Sequence, residues 1–260
     1  MAGRSTVTAR VLDVLGAFTA ATPELSLTEI SRRTGLPLTT THRLVGELAA
    51  WGALERGEGG LYRVGLRLWE VGALAPRGLG LRERAMPYLE DLHEVTRENV
   101  QLAVLDGAEV VYVERLAARD AVSIRSRAGS RLPATATGVG LALLAHAGPE
   151  HVAKVLAAPF RRFTPRTVTD PYRVRHLLGE VRRTGVAISE QQIEMVSQSV
   201  GAPIRAGQGR VVAALSIVVP IEANPHAYVP AVLAAARGIS RALGASALAR
   251  SDRASGALVP

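Results

Sequence analysis

Two short helical patterns on either side of a glycine turn constrain the fold of this chain more than any other feature. The first pattern, Leu27–Thr34, follows Ser26, which has capping-box spacing with Glu29. Gly35 ends that helix, and the next pattern predicts a helix over Leu38–Trp51. Helices joined by so tight a turn are typical of a helix-turn-helix, in which the second helix enters the major groove of DNA.

The second of these helices has an apolar stripe and a polar outer face. Its spacing predicts four buried residues: Leu44, Val45, Leu48 and Trp51. The residues that we expect to contact DNA are Thr39, Thr40, Thr41 and Arg43. Arginine can donate two hydrogen bonds to a guanine, and threonine can contact a phosphate or a thymine methyl group. The alternative for the three threonines is a polar helix start whose hydroxyls make only local capping bonds.

A hairpin is predicted directly after this helix. The segments 53–56 and 61–64 have strand character and flank a glycine-rich turn. An opening helix, with an apolar stripe from Val7 to Phe18, completes the pattern of a winged helix-turn-helix. Arg56 and Arg63 flank the wing, and we expect them to reach the DNA backbone or minor groove, with a solvated surface position as the alternative.

The rest of the chain alternates strand and helix patterns. Asp106-Gly107, between two runs rich in β-branched residues, is a strong hairpin signal. Asp170 and Pro171 have the N-cap and N1 chemistry of a helix that ends at Gly185. Further strands are predicted over 121–127, 186–189, 200–205 and 210–219, and further helices over 66–75, 79–97, 137–147, 150–157 and 227–243. From residue 100 onwards these elements predict an α+β domain built on a central antiparallel sheet.

The formal charge of +8 does not by itself indicate DNA binding, because of where the charged residues lie in the chain. Residues 1–66 hold seven arginines against six carboxylates, whereas residues 161–260 hold thirteen arginines against six carboxylates. The positive charge therefore lies mostly outside the helix-turn-helix, and the local placement of side chains has to carry the argument for DNA.

The composition excludes several classes of protein. Without cysteine the chain has no disulfide framework, thiolate metal site or cysteine nucleophile. It has neither a Gly-x-Ser-x-Gly segment nor a dinucleotide fingerprint, and its six histidines lack metal-ligand spacing, so we expect no enzyme, metal or cofactor. The first residues lack a secretory signal, and no apolar run reaches the roughly 18 residues of a membrane helix. We therefore expect a cytoplasmic protein with no membrane partner.

With these elements in place, the chain resembles the IclR family of bacterial transcription regulators over nearly its whole length. The N-terminal resemblance is carried by Leu27-Thr28-Glu29-Ile30, Thr34-Gly35-Leu36-Pro37, Thr40-Thr41-His42-Arg43-Leu44, Leu54-Glu55-Arg56 and Tyr62-Arg63-Val64-Gly65. The C-terminal resemblance is carried by Ser126-Arg127-Ala128-Gly129-Ser130-Arg131-Leu132-Pro133, Leu143-Leu144-Ala145, Thr164-Pro165-Arg166-Thr167-Val168-Thr169-Asp170 and Val211-Val212-Ala213-Ala214-Leu215-Ser216. The order and spacing of these segments together are specific to the family.

The resemblance implies a winged helix-turn-helix domain, a linker helix and a GAF-like effector domain that binds a small organic molecule, with carboxylates among the candidates. It also implies a homodimer or a dimer of dimers that acts on a palindromic operator in double-stranded DNA. We accordingly expect the DNA-binding domain at 1–66, the linker helix at 67–80, the effector-binding domain at 81–250 and a disordered tail at 251–260. The rival function is a ligand sensor whose N-terminal helices bind a protein partner in place of DNA.

The resemblance also indicates where the effector binds. The predicted effector-binding residues are Thr135, Thr137, Glu194, Ser197, Gln198 and Ser199. Hydroxyls, an amide and one carboxylate in an apolar cleft would orient a small polar or carboxylated ligand. Family members often have a histidine and a lysine where this chain has Thr135 and Leu141, and Met195-Val196 replaces the usual Pro-Gly pair, which favours a different ligand. The alternative is that the hydroxyls cap helices and that Glu194 is solvated.

The linker segment carries more apolar surface than one small wing can bury. Its apolar residues are Leu66, Leu68, Trp69, Val71 and Leu74. Together with the stripe from Val7 to Phe18 it is a candidate dimer contact, because reading a palindrome requires two heads at a fixed spacing. Packing within the domain is the alternative for part of that surface.

Overall fold

The computed structural model describes residues 6–19, 21–75 and 79–244. The chain divides into two units, Met1–Leu79 and Gly80–Pro260. No helix within the described ranges is long and apolar enough to cross a membrane. The tail predicted at 251–260 lies outside the described residues.

In its described residues the N-terminal unit contains four α-helices and a three-stranded sheet. Its helices are α1 (Val7–Gly16), α2 (Leu27–Thr34), α3 (Leu38–Trp51) and α4 (Leu66–Ala73), and its strands are β1 (Glu24–Leu25), β2 (Leu54–Arg56) and β3 (Tyr62–Val64). The strands are antiparallel in the order β1-β3-β2. This is the winged helix-turn-helix that the sequence predicts, with β1 as an additional strand.

Local hydrogen bonds fix both ends of α2. Glu29 Oε2 accepts from Ser26 N at 2.8 Å, and Ser26 Oγ accepts from Glu29 N at 3.3 Å, which confirms the predicted capping box. The Ser26 hydroxyl also donates to Glu29 Oε2 at 2.7 Å, and this bond, followed by the one from Ser26 N, lowers the pKa of the Glu29 carboxyl. At the other end Gly35 has φ 68°, a left-handed conformation that favours glycine. The chain can therefore turn directly into α3.

The core of this unit is formed by α1, α2, α3 and the wing around Val14, Ile30, Leu44 and Val45. Trp51 does not join that core, and its predicted burial is wrong. The residue is 52% exposed, and the guanidinium of Arg67 lies 5.4 Å from the centre of a Trp51 ring. At the end of α3, Trp51 therefore makes a cation–π contact with Arg67 instead of packing in the apolar core.

The C-terminal unit is an antiparallel six-stranded sheet with helices on both faces. Its strands are β4 (Asn99–Asp106), β5 (Glu109–Leu116), β6 (Arg131–Pro133), β7 (Ala187–Glu190), β8 (Ser197–Arg205) and β9 (Val211–Pro220). Its helices are α5 (Leu79–Thr96), α6 (Gly138–Leu144), α7 (Pro149–Ala157), α8 (Pro171–Thr184) and α9 (Val229–Ala242). The strand order is β6-β5-β4-β9-β8-β7, which makes the fold α+β as predicted.

Alternate residues of the central strands face different helix layers. Leu102 and Leu215 pack in one cluster with α5 and α9, whereas Ala103 and Ala214 pack in the other cluster with α6, α7 and α8. Because both faces are covered, the central strands are apolar on both sides, and the few polar residues in them become informative.

The strand predicted over 121–127 is wrong. Residues 117–130 contain turns and bends but no strand, and β6 takes the edge position beside β5 instead. Side chains of the sheet bond the carbonyls of this segment: Asn99 Nδ2 donates to Val122 O at 2.8 Å, and Arg115 Nη1 donates to Ser126 O at 2.9 Å. These side-chain bonds satisfy backbone groups that a neighbouring strand would otherwise pair.

Candidate functional site

The predicted DNA-reading residues lie at the first turns of α3. Thr39 and Arg43 are exposed, Thr40 is half-buried, and Pro37 precedes the helix without a side-chain cap. The turn therefore presents two threonines and one arginine outward. This is the position from which a recognition helix contacts base edges.

Thr41 does not share that face. It is fully buried, and its hydroxyl donates to Pro37 O at 3.1 Å. The hydroxyl thus stabilises the start of the helix from within, as in the alternative given for the threonines. Thr41 is therefore separated from the other residues predicted to contact DNA.

The side chain of Arg43 is held on the outer face of α3. Its Nη1 donates to Glu47 Oε1 at 2.6 Å, and both side chains are more than half exposed. The guanidinium is accessible, but it must leave or share this carboxylate to reach a base.

The two wing arginines have different surroundings. Arg56 lies over the ring of Tyr62, 5.9 Å from its centre. Arg63 donates from Nε and Nη2 to Glu55 Oε2, both at 3.1 Å, while Glu55 Oε1 accepts from the backbone N of Leu66 at 3.0 Å. These hydrogen bonds lower the pKa of Glu55, the bond from Leu66 contributing most. One carboxylate therefore joins the wing to the start of α4.

The C-terminal unit contains a cavity between the start of α6, strands β7 and β8, and the segments 117–130 and 191–196. Its empty volume is about 350 Å³ including the open mouth. Five of the six predicted effector residues line it: Thr137, Glu194, Ser197, Gln198 and Ser199. The sixth, Thr135, is buried in the turn before α6 and is not among the lining residues.

Glu194 is the one ionisable side chain that lines this cavity within the described part of the chain. Its carboxylate accepts from Arg125 N at 2.7 Å and from Ser197 Oγ at 3.2 Å. The nearest guanidinium nitrogen, Arg125 Nε, is 3.9 Å away on a largely exposed side chain. The carboxylate also interacts electrostatically with the guanidinium of Arg115. It is thus hydrogen-bonded on the protein side, and it retains lone pairs that can accept from a ligand.

Tyr112 lies close to this carboxylate. Burial raises the pKa of the Tyr112 phenol, the negative charge of Glu194 raises it further, and a hydrogen bond with Thr137 opposes the shift. The phenol therefore stays neutral beside Thr137 and Glu194, two residues that line the cavity. It was not predicted from the sequence.

The hydroxyls of the cavity partly serve the protein itself. Ser199 Oγ accepts from Gly138 N at 3.2 Å, and Thr137 Oγ1 accepts from Gly140 N at 3.1 Å. The Gln198 Nε2 group donates to three carbonyls, those of Pro220, Ile221 and Ala223. Helix capping, the predicted alternative, is thus present, while Ser199 retains a hydroxyl proton that it can donate.

Sequence reasoning missed four polar residues of the cavity: Gln101, Ser126, Ser189 and Gln192. Gln101 Nε2 donates to Ser126 Oγ, and Gln101 Oε1 accepts from Ser216 Oγ at 3.3 Å. Gln101 could have been identified from the sequence, because it is a glutamine within an otherwise apolar run that has strand character.

Gln192 is held by the segment that precedes α8. Its Oε1 accepts from Val168 N at 3.1 Å, and its carbonyl accepts from Thr167 Oγ1 at 2.7 Å. Thr164 Oγ1 fixes the neighbouring carbonyl of Gln191 at 2.6 Å. Within the described residues the Gln192 NH2 group makes no hydrogen bond of its own, so it is available as a donor; the residue lines this cavity and also a neighbouring cleft beside α8.

A helix-turn-helix unit followed by a unit with a small polar cavity defines a ligand-responsive DNA-binding regulator. A family model described as IclR helix-turn-helix domain matches residues 7–58, and one described as Bacterial transcriptional regulator IclR C-terminal matches residues 75–243. The chain belongs to the IclR family. It is a DNA-binding transcriptional regulator with a C-terminal ligand-binding domain, and the proteins it matches are regulators, not enzymes.

Known relatives cover most of the chain. HTH-type transcriptional regulator XynR of Escherichia coli (strain K12) is 32% identical over 210 residues, 80% of this chain and 83% of the relative. HTH-type transcriptional regulator BhcR of Paracoccus denitrificans (strain Pd 1222) is 33% identical over 237 residues, 89% of this chain and 85% of the relative.

Solved structures are also similar to this fold. An IclR homolog from Microbacterium hydrocarbonoxydans, complexed with 4-hydroxybenzoate, is 42% identical with a TM-score of 0.87, covering 93% of this chain and all of that one. The cavity described above belongs to the domain that binds ligands in this family.

Proposed function

We propose that this chain binds a palindromic operator through the exposed first turns of α3 and that a small effector in the cavity beside α6 changes its operator affinity. The observation that carries the proposal is the cavity, in which the carboxylate of Glu194 and donors from Gln192 and Ser199 line one small space. A ligand shifts operator affinity when it binds one conformation of the protein more tightly than another. Operator binding also assigns the protein to the cytoplasm.

For the DNA contact we retain Thr39, Thr40 and Arg43 and leave out Thr41. The exposure of Thr39 and Arg43 supports base reading from α3, and the position of Arg56 and Arg63 on the wing supports contacts with phosphates or the minor groove. Because Glu55 already holds Arg63, a phosphate has to compete with a carboxylate for that side chain.

For the effector, the chemistry of the cavity favours a small molecule with two different ends. A hydroxyl or amine would donate to Glu194, whereas a carboxylate or carbonyl would accept from Gln192 Nε2 and Ser199 Oγ. An anionic end placed at Glu194 would be repelled. The 4-hydroxybenzoate bound to the Microbacterium hydrocarbonoxydans homolog has both kinds of end, and we propose a hydroxylated aromatic carboxylate here.

The effector proposal is tested with ligand pairs. We expect 4-hydroxybenzoate to bind more tightly than benzoate, by roughly tenfold or more, because the hydroxyl donates to a charged group. In Glu194→Gln this preference should shrink, and in the control Glu190→Gln on β7 it should persist. Calorimetry that shows the same preference in all three proteins would exclude Glu194 as the hydroxyl acceptor.

The DNA proposal is tested by an electrophoretic shift with the chain's own upstream region, titrated with the same ligands. We expect a shifted protein–DNA complex that survives an excess of random competitor DNA. The more tightly bound ligand should change the amount of this complex. Absence of a sequence-dependent shift would favour the rival function, a sensor that acts through a protein partner.

We also propose a homodimer, or a dimer of dimers, formed partly through α4. The apolar side chains of Leu66, Trp69 and Leu74 are at least 62% exposed in the single chain. A second copy that covers them would fix the spacing of two reading helices. Trp69→Glu should shift sedimentation towards monomer, whereas Val95→Glu, at a more exposed apolar position on α5, should not. Monomeric wild-type protein at micromolar concentration would contradict the dimer.

A further inference from the structure

A second cleft lies in the C-terminal unit between the end of α8, the end of β8 and the outer side of α9. Its volume is about 890 Å³ including the open mouth. Three arginines line it, Arg205, Arg237 and Arg241, and no carboxylate does. Leu233 and Pro203 supply an apolar part of its wall. None of its lining residues is shared with the effector cavity.

The two arginines of α9 are exposed and, among the residues that the structure describes, have no partner. Arg237 and Arg241 lie one turn apart, so their side chains leave the same side of the helix. Within the described part of the chain, neither guanidinium has a hydrogen bond or an ion pair. Their donors are free to bind a ligand.

Arg205 is positioned from the strand side of the cleft. Its Nη1 donates to Gly209 O at 2.9 Å, and its backbone N donates to Ser240 Oγ at 2.9 Å. Its Nη2 lies 3.5 Å from His146 Nε2. A carbonyl thus holds the guanidinium in place. In the described part of the chain no anionic group accepts a hydrogen bond from it, and an anion would be a stronger acceptor than the carbonyl.

The lining of this cleft carries positive charge and no carboxylate. From Ser197 to the end of α9 the chain has four arginines and one carboxylate, Glu222. Burial lowers the pKa of His146, and the charges of Arg205 and Arg182 lower it further, which is the response of a base in a positive field. The helix dipole explains one basic residue in the last turn of α9, Arg241, but neither Arg237 nor Arg205.

We propose that this cleft binds a small organic molecule with two or more negative charges, carried by phosphate or carboxylate groups. The anionic groups would lie among Arg205, Arg237 and Arg241, and the carbon skeleton would pack on Leu233 and Pro203. Guanidinium groups match the geometry of both anions. Three of them around a concave space suit an enclosed small anion better than the convex backbone of a duplex.

The proposal is tested with pyrophosphate and citrate as probes on the full chain. Calorimetry and thermal shift are run at constant ionic strength on the wild type, on Arg237→Gln/Arg241→Gln and on Arg84→Gln/Arg175→Gln. The last variant removes the same charge from exposed sites on α5 and α8. We expect at least one probe to bind the wild type and the control equally and the first variant roughly tenfold or more weakly, because two charged hydrogen-bond partners are lost. The preferred probe distinguishes phosphate from carboxylate.

Three results would overturn the proposal. The first is an equal response of all three proteins, or one that sodium chloride reproduces at the same ionic strength, since either means general ion effects only. The second is weaker binding of random DNA by Arg237→Gln/Arg241→Gln with no response to either probe in the wild type, which would assign the arginines to the duplex. The third is a lower unliganded melting temperature of that variant, which would make the arginines structural. Removing uncompensated like charges should instead leave the melting temperature unchanged or raise it.

Discussion

Arg43 and Glu47 form an ion pair on the outer face of α3, with Nη1 and Oε1 2.6 Å apart. Because both side chains are more than half exposed, the pair contributes at most a few tenths of a kcal/mol, about 0.3–0.5 kcal/mol for this spacing. A guanine offers a guanidinium two acceptors, and we therefore expect DNA to compete with Glu47 for Arg43.

We expect Glu47→Gln to bind DNA more tightly. The substitution removes both a competitor for Arg43 and a negative charge near phosphates, and operator affinity should rise by about twofold or more. Fluorescence titration of a labelled operator at two salt concentrations measures the gain. Glu90→Gln, an exposed carboxylate on α5, is the matched control, and an equal gain in both variants would show a general charge effect.

Arg43→Ala should weaken operator binding by about 1–3 kcal/mol while binding to random DNA survives. Operator affinity should fall because the hydrogen bonds from the Arg43 guanidinium to a base are lost and no other side chain makes them. The measurement is a competition titration with operator and random duplexes, with Arg175→Ala as the control. Equal losses on the two duplexes would remove Arg43 from base reading.

The two threonines Thr39 and Thr41 should respond to valine in opposite ways. Thr39→Val changes an exposed side chain, so operator affinity should fall while the melting temperature stays constant. Thr41→Val removes an internal hydrogen bond to Pro37 O, so stability should change by about 1 kcal/mol with no separate loss of operator affinity. Thermal unfolding and operator titration of both variants decide this. A Thr41 variant of normal stability that binds operator poorly would contradict the assignment.

The helix-turn-helix could be predicted because its signals are local. The capping box at Ser26 and the turn at Gly35 need only neighbouring residues. The burial of Thr41 could also have been predicted, because Thr41 precedes Leu44 by three residues and Val45 by four and so lies on their face of the helix. Because all three residues of the run are polar, their polarity indicated the outer face of the helix for all three.

The effector cavity could be predicted only in part. The segment 194–199 is continuous in sequence, and four of its residues line the same cavity as Thr137: Glu194, Ser197, Gln198 and Ser199. Gln101 comes from another strand, and its approach depends on how β4 pairs with β9. Segment 121–127 had strand composition, but Asn99 and Arg115 bond its carbonyls, and such tertiary contacts cannot be derived from local propensity.

Gly201→Ala should destabilise the C-terminal unit by about 1–3 kcal/mol. A Cβ at this position of β8 would lie 2.6 Å from Gly138 C and 2.7 Å from Gly138 O, so α6 would have to move. Gly179→Ala is the matched control, because that site on α8 is open and a helical alanine should stabilise by about 0.5–1 kcal/mol. Urea unfolding compares the two variants, and equal stability would contradict the close approach of α6 to β8.

Tyr112 should make stability depend on pH at the alkaline end. The folded-state pKa is raised above the ordinary value of 10.0 by burial and by Glu194. The resulting contribution is fully present below that ordinary value and is lost as pH rises through the folded pKa. Urea unfolding across the alkaline range should therefore show a steeper loss of stability in the wild type than in Tyr112→Phe. Parallel curves would mean that the phenol titrates normally.

The carboxylate of Glu55 touches both Arg63 on β3 and the first residue of α4, Leu66. Between them Gly65 lies so close to Gly52 that even a methyl group would be 2.2 Å from its carbonyl oxygen. A rotation of α4 would therefore be transmitted directly to β3 and would move Arg63, the wing arginine that we propose to contact DNA.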